Sequence, residues 1–473
     1  MPSGGPSGAV GAGHGAQAVS VLELFAGAGG ASEGLAALGL EHVGVELDPV
    51  AAGTAVAAGH KRVVADVAAM DPRDFADVTG LWSSPPCVSF SSAGSGAGRQ
   101  VMDVLADGIT RTIAGERVVD RVREECTRVL EVHALTDPKL AKLTPVERSE
   151  WAVRQATVSA LVVEVARYAR DLRPEWVACE QVPGVLPLWR VLARALRGAG
   201  YRAWCGVLCA ADYGVPQTRR RAILVASRIP AHRVGPPEPT HAEHPGEGDL
   251  FGPALPGWVS MAAALGPDWP DRAPWAVTGG ANGAVFGGAQ PRRVVAAYRR
   301  TRGEGVTDRH GDRPDTPANG PAPTVTGKAR SDTWVLRNNN TANAAVRALD
   351  EPAPTLFWGG RCNAVDWAQT RPATTVQGDL RIAPPDHRDR EGGEPQFGPA
   401  TVRVSVAEAA CLQGFRADFP WRGTRSSRFQ QVGNAVPPPL TAAVVGHLLD
   451  VDWRPLVAAY LARTALAPDR EVA

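Results

Sequence analysis

A cysteine held between two prolines and a serine- and glycine-rich run, Ser83-Ser84-Pro85-Pro86-Cys87-Val88-Ser89-Phe90-Ser91, is the first group in this chain with chemistry to offer. Gly80-Leu81-Trp82 reads as the end of a buried strand, and in open α/β sheets the strand C-termini face the ligand crevice. Ser91 to Gly98 is too glycine-rich for regular structure and reads as a mobile loop able to close over a substrate. A thiol so placed can act as a nucleophile; a buried structural thiol is the plain alternative for Cys87 taken alone. A second candidate is Glu180 in Cys179-Glu180-Gln181-Val182-Pro183, where a charge at the end of an apolar strand is costly to bury unless paired or functional. A third is Gly214-Val215-Pro216-Gln217-Thr218-Arg219-Arg220-Arg221, in which Arg219 and Arg221 alternate onto one face of a strand. For the arginine triplet, the competing assignment is a solvated or phosphate-contacting surface.

A different chemistry is written near the start. Glu23-Leu24-Phe25-Ala26-Gly27-Ala28-Gly29-Gly30 follows a first strand and precedes a helix, and glycines at such a turn let a ligand approach the backbone at a helix N-terminus. The next two strands end in carboxylates, Glu46 and Asp66. The first of these positions typically accepts ribose hydroxyls; the second can hold an adenine amino group. A dinucleotide enzyme would share Glu46, but the G-x-G-x-x-G spacing is missing, which favours S-adenosylmethionine. For each acid in isolation, a solvated strand-end carboxylate is the alternative.

These groups need a scaffold that brings strand ends together. Short apolar runs at Val19 to Phe25, His42 to Glu46, Val63 to Asp66, Leu81 to Ser84, Trp176 to Gln181, Ala203 to Ala210 and Ala222 to Ser227 alternate with helical stretches. That alternation predicts an α/β fold around a mostly parallel sheet. Helical patterning is clearest from Trp151 to Leu172, with Val158, Leu161, Val162, Val165 and Leu172 on one face and Pro174 as the stop. Arg99 to Glu150 is a charged, helix-prone insertion. After about Arg228 prolines and glycines dominate, and a weak phrase recurs at 322–327, 353–359 and 373–378, which suggests successive β-turn units. Pro439 to Val451 returns to an apolar helix that could pack on the first domain.

Composition sets outer bounds. A chain of 473 residues exceeds what one core supports, so two domains are expected. A net charge of +1 announces no nucleic-acid partner by itself, so any such surface is local. The 7 cysteines are scattered without a C-x-x-C, which fits neither a zinc site nor a disulfide framework and suggests a reducing cytoplasm. Met1 to Ala18 has neither a charged start nor an apolar core and reads as a disordered leader, not a signal peptide. No run approaches the roughly 18 apolar residues of a membrane span.

Taken in order, the motifs resemble those of the DNA (cytosine-5)-methyltransferases. Phe25 to Gly30 resembles the family's cofactor loop, Pro86-Cys87 its nucleophile motif, Glu180-Gln181-Val182 its Glu-Asn-Val, and Gln217 to Arg221 its Gln-x-Arg-x-Arg. Ser405 to Phe415, with Glu408, resembles the penultimate motif, and Gly433-Asn434-Ala435-Val436-Pro437 the last. The resemblance implies a Rossmann-like S-adenosylmethionine-dependent domain of seven strands (19–229 with 430–473, the insertion at 99–150) and a smaller β-rich target-recognition domain at 230–429. It implies catalytic roles for Cys87, Glu180, Arg219 and Arg221, and cofactor contacts from Glu23, Phe25, Gly27, Gly29, Gly30, Glu46, Asp66, Pro86 and Asn434, with no metal.

On this resemblance Cys87 adds to C6 of a flipped cytosine in duplex DNA and C5 takes the methyl group. Glu180 would hold N3 and the exocyclic amine, Arg221 would bind O2, and Arg219 would support the thiol or a phosphate. Nearby arginines are expected to lower the thiol pKa, and burial to raise that of Glu180. Arg292, Arg293, Arg299, Arg300, Arg302, Arg422, Arg425 and Arg428 are expected at phosphates. A monomer acting on the nucleoid in a bacterial cytoplasm, with a cognate restriction endonuclease, alone, or phage-encoded, fits the resemblance. An RNA methyltransferase of the same superfamily and a catalytically dead regulator are the competing assignments. Three departures stand out: Gln181 replaces the usual asparagine, Leu47 stands where many members place a tryptophan against adenine, and the insertion lengthens the interval from Cys87 to Glu180.

Overall fold

A computed structural model describes residues 20–90, 95–138, 140–245, 254–265, 334–338, 345–356, 365–369 and 401–464. The expected leader at 1–18, the phrases at 322–327 and 373–378, and Arg292, Arg293, Arg299, Arg300 and Arg302 lie outside these residues.

Seven strands form one sheet: β1 (Val21–Leu24), β2 (His42–Glu46), β3 (Lys61–Val64), β4 (Gly80–Ser83), β5 (Trp176–Gln181), β6 (Arg202–Cys209) and β7 (Arg220–Ser227). Their order is β3-β2-β1-β4-β5-β7-β6. Neighbours among the first five pair parallel, and β7 runs antiparallel to both β5 and β6, so the sheet is mostly parallel as expected. Strand order reverses between β1 and β4, and in a doubly wound sheet the crevice at the strand C-termini opens there. The glycine loop leaves β1 and the Pro-Pro-Cys turn leaves β4, so both predicted chemistries emerge at that crevice.

Each face of the sheet is covered because side chains alternate along the strands. Leu22 and Leu24 join one core with Leu81, Val177, Leu105, Ile109, Val163 and Trp189; Val21 joins the other with Trp82, Trp176, Leu35, Leu440, Val444 and Trp453. The first core is supplied by α3 (Met102–Ile113), α4 (Val119–Thr136), α5 (Pro145–Leu172) and α6 (Leu186–Gly198). The second is supplied by α1 (Gly30–Ala37), with α10 (Pro438–Leu448) and α11 (Trp453–Leu461) from the far end of the chain. Two short helices, α8 (Val406–Leu412) and α9 (Arg425–Asn434), precede that return, while α2 (Pro49–Ala57) follows β2 and α7 (Met261–Leu265) lies between.

The long helix begins earlier than its apolar pattern indicates. Thr144 and Glu147 form a reciprocal capping box with Pro145 in the first turn, so residues 145–150, expected in the insertion, belong to α5. Its buried face is also built from smaller residues than expected, including Ala152, Ala156, Ser159 and Ala160. Two further helices of the insertion are α3 and α4.

The chain divides into two compact units: residues 1–267 with 350–363 and 405–473, and residues 268–349 with 364–404. In the second unit β8 (Trp334–Asn338), β9 (Ala345–Ala348), β10 (Val365–Gln369) and β11 (Thr401–Arg403) form an antiparallel sheet of order β11-β10-β8-β9. Among the described residues no helix is long and apolar enough to cross a membrane, and no His, Cys, Asp and Glu cluster could hold a metal ion.

Candidate active site

The loop after β1 is held by its neighbours' side chains. Phe25 turns into the left-handed region (φ 57), a strained conformation for a bulky residue. It is followed by Ala26, whose N–H donates to Val45 O at 3.0 Å. Gly27 N–H donates to Glu46 Oε2 at 2.7 Å, and Asp48 N–H donates to Glu46 Oε1 at 2.8 Å. The strand-end carboxylate thus shapes the loop as well as facing the crevice. Glu23 is buried and already engaged by the Ser32 hydroxyl and, at 3.9 Å, by Arg62 Nη2.

A cavity of about 410 Å³ opens at the crevice, lined by Glu23, Phe25, Gly27, Gly30, Glu46, Leu47, Asp66, Pro86, Cys87, Glu180, Arg219, Arg221 and Asn434. This size lies within the range of small-ligand sites. Gly29 is the exception among the predicted cofactor residues, for it does not line the cavity. Its φ of 106 and the approach of His60 and Arg62 explain its glycine by backbone geometry and packing. Leu47 is 66% exposed, an apolar side chain left uncovered at the cavity wall. Asp66 is exposed, and its Oδ1 accepts from Ala68 N–H at 2.9 Å.

The same cavity carries the reactive groups. Ser84 N–H donates to Leu24 O at 3.2 Å and Phe90 N–H to Cys87 O at 3.0 Å, so the Pro-Pro-Cys turn is pinned on both sides. Glu180 is buried, and its Oε1 lies 2.7 Å from Arg221 Nε. Arg219 is buried too; its Nη2 donates to Gly433 O at 3.0 Å, while Nε and Nη1 have no partner among the described residues. Burial and the neighbouring Arg221 pull the Arg219 guanidinium down to about 9, still protonated at neutral pH.

One expectation is reversed here. Burial pushes the Cys87 thiol up; Arg221 and Arg219 pull it down, Glu180 opposes them, and the outcome lies above the ordinary thiol range. Desolvation disfavours the thiolate more than the two guanidinium groups favour it.

Several lining residues carried no signal of their own in the sequence. Leu161 of α5 reaches the cavity, as do Ser427, Gln430 and Gln431 of α9. Leu161 shares one helix face with Val158, Val162, Val165 and Leu172 in the sequence pattern. Gln431 accepts from Thr54 Oγ1 at 2.7 Å and donates to Arg422 O at 3.0 Å, tying α9 to α2. The one recurring phrase that is partly described, at Ala353, forms a parallel bridge to Gln217, with Ala353 N–H donating to Pro216 O at 2.9 Å and Thr218 N–H to Ala353 O at 2.8 Å. It therefore braces the segment that leads into Arg219.

Comparison with known proteins bears on this arrangement. A family model described as C-5 cytosine-specific DNA methylase matches residues 19–109, 153–246 and 367–450, more than half of the chain. The Type II methyltransferase M.XorII of Xanthomonas oryzae pv. oryzae is 26% identical over 447 residues, which span 90% of this chain and 84% of that protein. The Type II methyltransferase M.NaeI of Lentzea aerocolonigenes is 25% identical over 443 residues, 90% of this chain and 74% of that one. A crystal structure of the S. pombe Dnmt2 methyltransferase aligns with a TM-score of 0.44 at 14% identity, covering 91% of this chain and 98% of that one.

Proposed function

Because the chain belongs to the C-5 cytosine-specific DNA methylases, we propose that it takes a methyl group from S-adenosylmethionine and places it on C5 of a cytosine flipped out of duplex DNA, through a covalent bond between Cys87 and C6. One observation carries this assignment: Glu46, Leu47 and Asp66 line the same cavity as Cys87, Glu180, Arg219 and Arg221. Glu46 and Asp66 would hold the ribose and adenine polar groups, Leu47 and Leu161 the apolar ring faces, and Gly27, Ala28 and Gly30 with Asn434 the remainder. When bound, S-adenosylmethionine supplies an electrophilic methyl group on a sulfonium.

The chain's own residues do the rest. C5 of cytosine is a poor nucleophile until Cys87 Sγ bonds to C6, which makes it enamine-like. Glu180 accepts from the exocyclic amine and shares a proton with N3, and Arg221, already bonded to Glu180, donates to O2. Burial keeps the proton on Cys87 in the free protein, and that proton passes to water as Sγ bonds to C6. Arg219, whose Nε and Nη1 have no partner among the described residues and which lines the cavity, would favour the resulting thiolate. Once C5 carries the methyl group, a base takes the C5 proton, the electron pair restores the C5–C6 double bond and Cys87 departs as thiolate. Flipping the base costs a few kcal/mol and is required because none of these groups can reach a stacked cytosine.

Residues 230–429 would read the target sequence, with Arg422, Arg425 and Arg428 at phosphates. The Type II relatives support pairing with a restriction endonuclease, in a bacterial cytoplasm. The test is trapping on duplexes containing 5-fluorocytosine, in which the C5 position cannot lose a proton. The wild-type chain forms a covalent adduct only with S-adenosylmethionine present, and Cys87→Ser forms none; an adduct formed by Cys87→Ser removes Cys87 from the nucleophile role. Bisulfite sequencing of host DNA after expression gives the target site.

A further inference from the structure

Beyond the last backbone pairing of β4 with β5, Ser83 opposite Cys179, β5 continues through Glu180 and Gln181 while the neighbouring chain turns through Ser84, Pro85 and Pro86. Proline has no N–H, so this stretch cannot continue the ladder in the ordinary way. A side chain stands in for the ladder. Gln181 is 1% exposed; its Nε2 donates to Pro85 O at 2.9 Å and its Oε1 accepts from Val182 N–H. On its far side β5 is held by β7, with Gln181 opposite Ala222 and Glu180 opposite Ile223.

We propose that Gln181 is a positioning residue that sets the separation of Cys87 from Glu180 by clamping the Pro-Pro-Cys turn to the end of β5. The residue immediately before it carries the carboxylate, and the carbonyl it grips lies two residues before the thiol. Each polar atom of its amide is committed to backbone, one on either side of the gap. A buried amide with both ends satisfied has one geometry, because releasing either bond leaves an unpaired buried group. The clamp also accounts for the glutamine. Asparagine, the residue usual in the family at this place, is shorter by one methylene, about 1.5 Å. From the same backbone it would leave Pro85 O well beyond hydrogen-bond range. Gln181→Glu would present a carboxylate to a carbonyl oxygen and place a second charge beside Glu180.

This inference rests on Cys87 being the nucleophile, and the experiment separates the two. The rate of adduct formation on 5-fluorocytosine duplexes, S-adenosylmethionine affinity by calorimetry and the melting temperature are measured for the wild-type chain, Gln181→Asn and Gln181→Glu. A displacement near 1 Å between reacting groups costs on the order of 100-fold in rate. Gln181→Asn is therefore expected to trap 10- to 100-fold more slowly with cofactor affinity at the wild-type value and a melting temperature lowered modestly by the unpaired Pro85 carbonyl, and Gln181→Glu more slowly still. Wild-type trapping rates in Gln181→Asn overturn the inference alone. A slowed rate matched by an equal loss of cofactor affinity also overturns it, since a purely structural residue would disturb the whole cavity and not the placing of the thiol alone. A wild-type chain that forms no adduct overturns the nucleophile assignment, and this inference with it.

Discussion

A single methyl group added at Gly30 tests whether the two ends of the chain build one cavity. In Gly30→Ala the new Cβ would lie 2.2 Å from Val436 O, 3.0 Å from Val436 N and 3.1 Å from Ala435 Cβ. Carbon and carbonyl oxygen ordinarily approach to about 3.3–3.6 Å, so one side must move by more than about 1 Å. The obstacle is backbone, held in place from two directions. Gln413 Nε2 donates to Ala435 O at 2.7 Å and Arg219 Nη2 to Gly433 O at 3.0 Å. Overpacking costs about 1–3 kcal/mol, and a pinned backbone puts this case near 3 kcal/mol.

Gly27→Ala is the matched control. Nothing lies within 4 Å of its Cβ, so the cost is that of a left-handed residue at φ 54, about 1–2 kcal/mol. Urea unfolding of the full chain measures both changes, and calorimetry with S-adenosylmethionine measures binding. Gly30→Ala is expected to lose more stability than Gly27→Ala. It should also lose cofactor affinity, by on the order of tenfold, because Asn434 and Val436 line the cavity. A Gly30→Ala chain as stable as wild type, or less affected than Gly27→Ala, would refute the close approach of α1 to the C-terminal segment.

The raised proton affinity of Cys87 has a signed consequence: the thiolate fraction at neutral pH is below that of a free cysteine and grows as pH rises. Adduct formation should therefore accelerate from about pH 6 to about pH 9, and a flat profile over that range would mean that Arg219 and Arg221 outweigh burial. Glu46→Ala removes the acceptor of both Gly27 and Asp48 N–H and should weaken S-adenosylmethionine binding by about 1–3 kcal/mol. Asp66→Ala, at an exposed carboxylate with one backbone partner, should cost less. Unchanged calorimetric affinity in both variants would remove the adenosine end of the cofactor from these strand ends.

What the sequence determined by itself was everything local or periodic. Alternating apolar runs and helical stretches specify a wound α/β sheet, since each strand must bury two faces. Placing Cys87, Glu180, Glu46 and Asp66 at strand ends needed only the points where apolar runs stop, because a parallel sheet gathers its C-terminal ends at one edge. The capping box at Thr144 and Glu147 was equally legible, although the apolar pattern alone placed that helix start at Trp151. Tertiary structure decided what depends on distance between remote residues. Gly27, Gly29 and Gly30 are indistinguishable as letters, yet Gly29 packs on His60 and Arg62 while Gly30 meets Val436. Leu161 shares its apolar face with core residues in the sequence, and only the assembled fold shows that it also lines the cavity. The proton affinity of Cys87 turns on burial against two guanidinium groups, a competition between desolvation and charge whose sign no spacing of residues contains. Gln181 reads in the sequence as a departure from the usual asparagine. Only the carbonyl of Pro85, brought to 2.9 Å by the pairing of β4 with β5, shows what the extra methylene reaches.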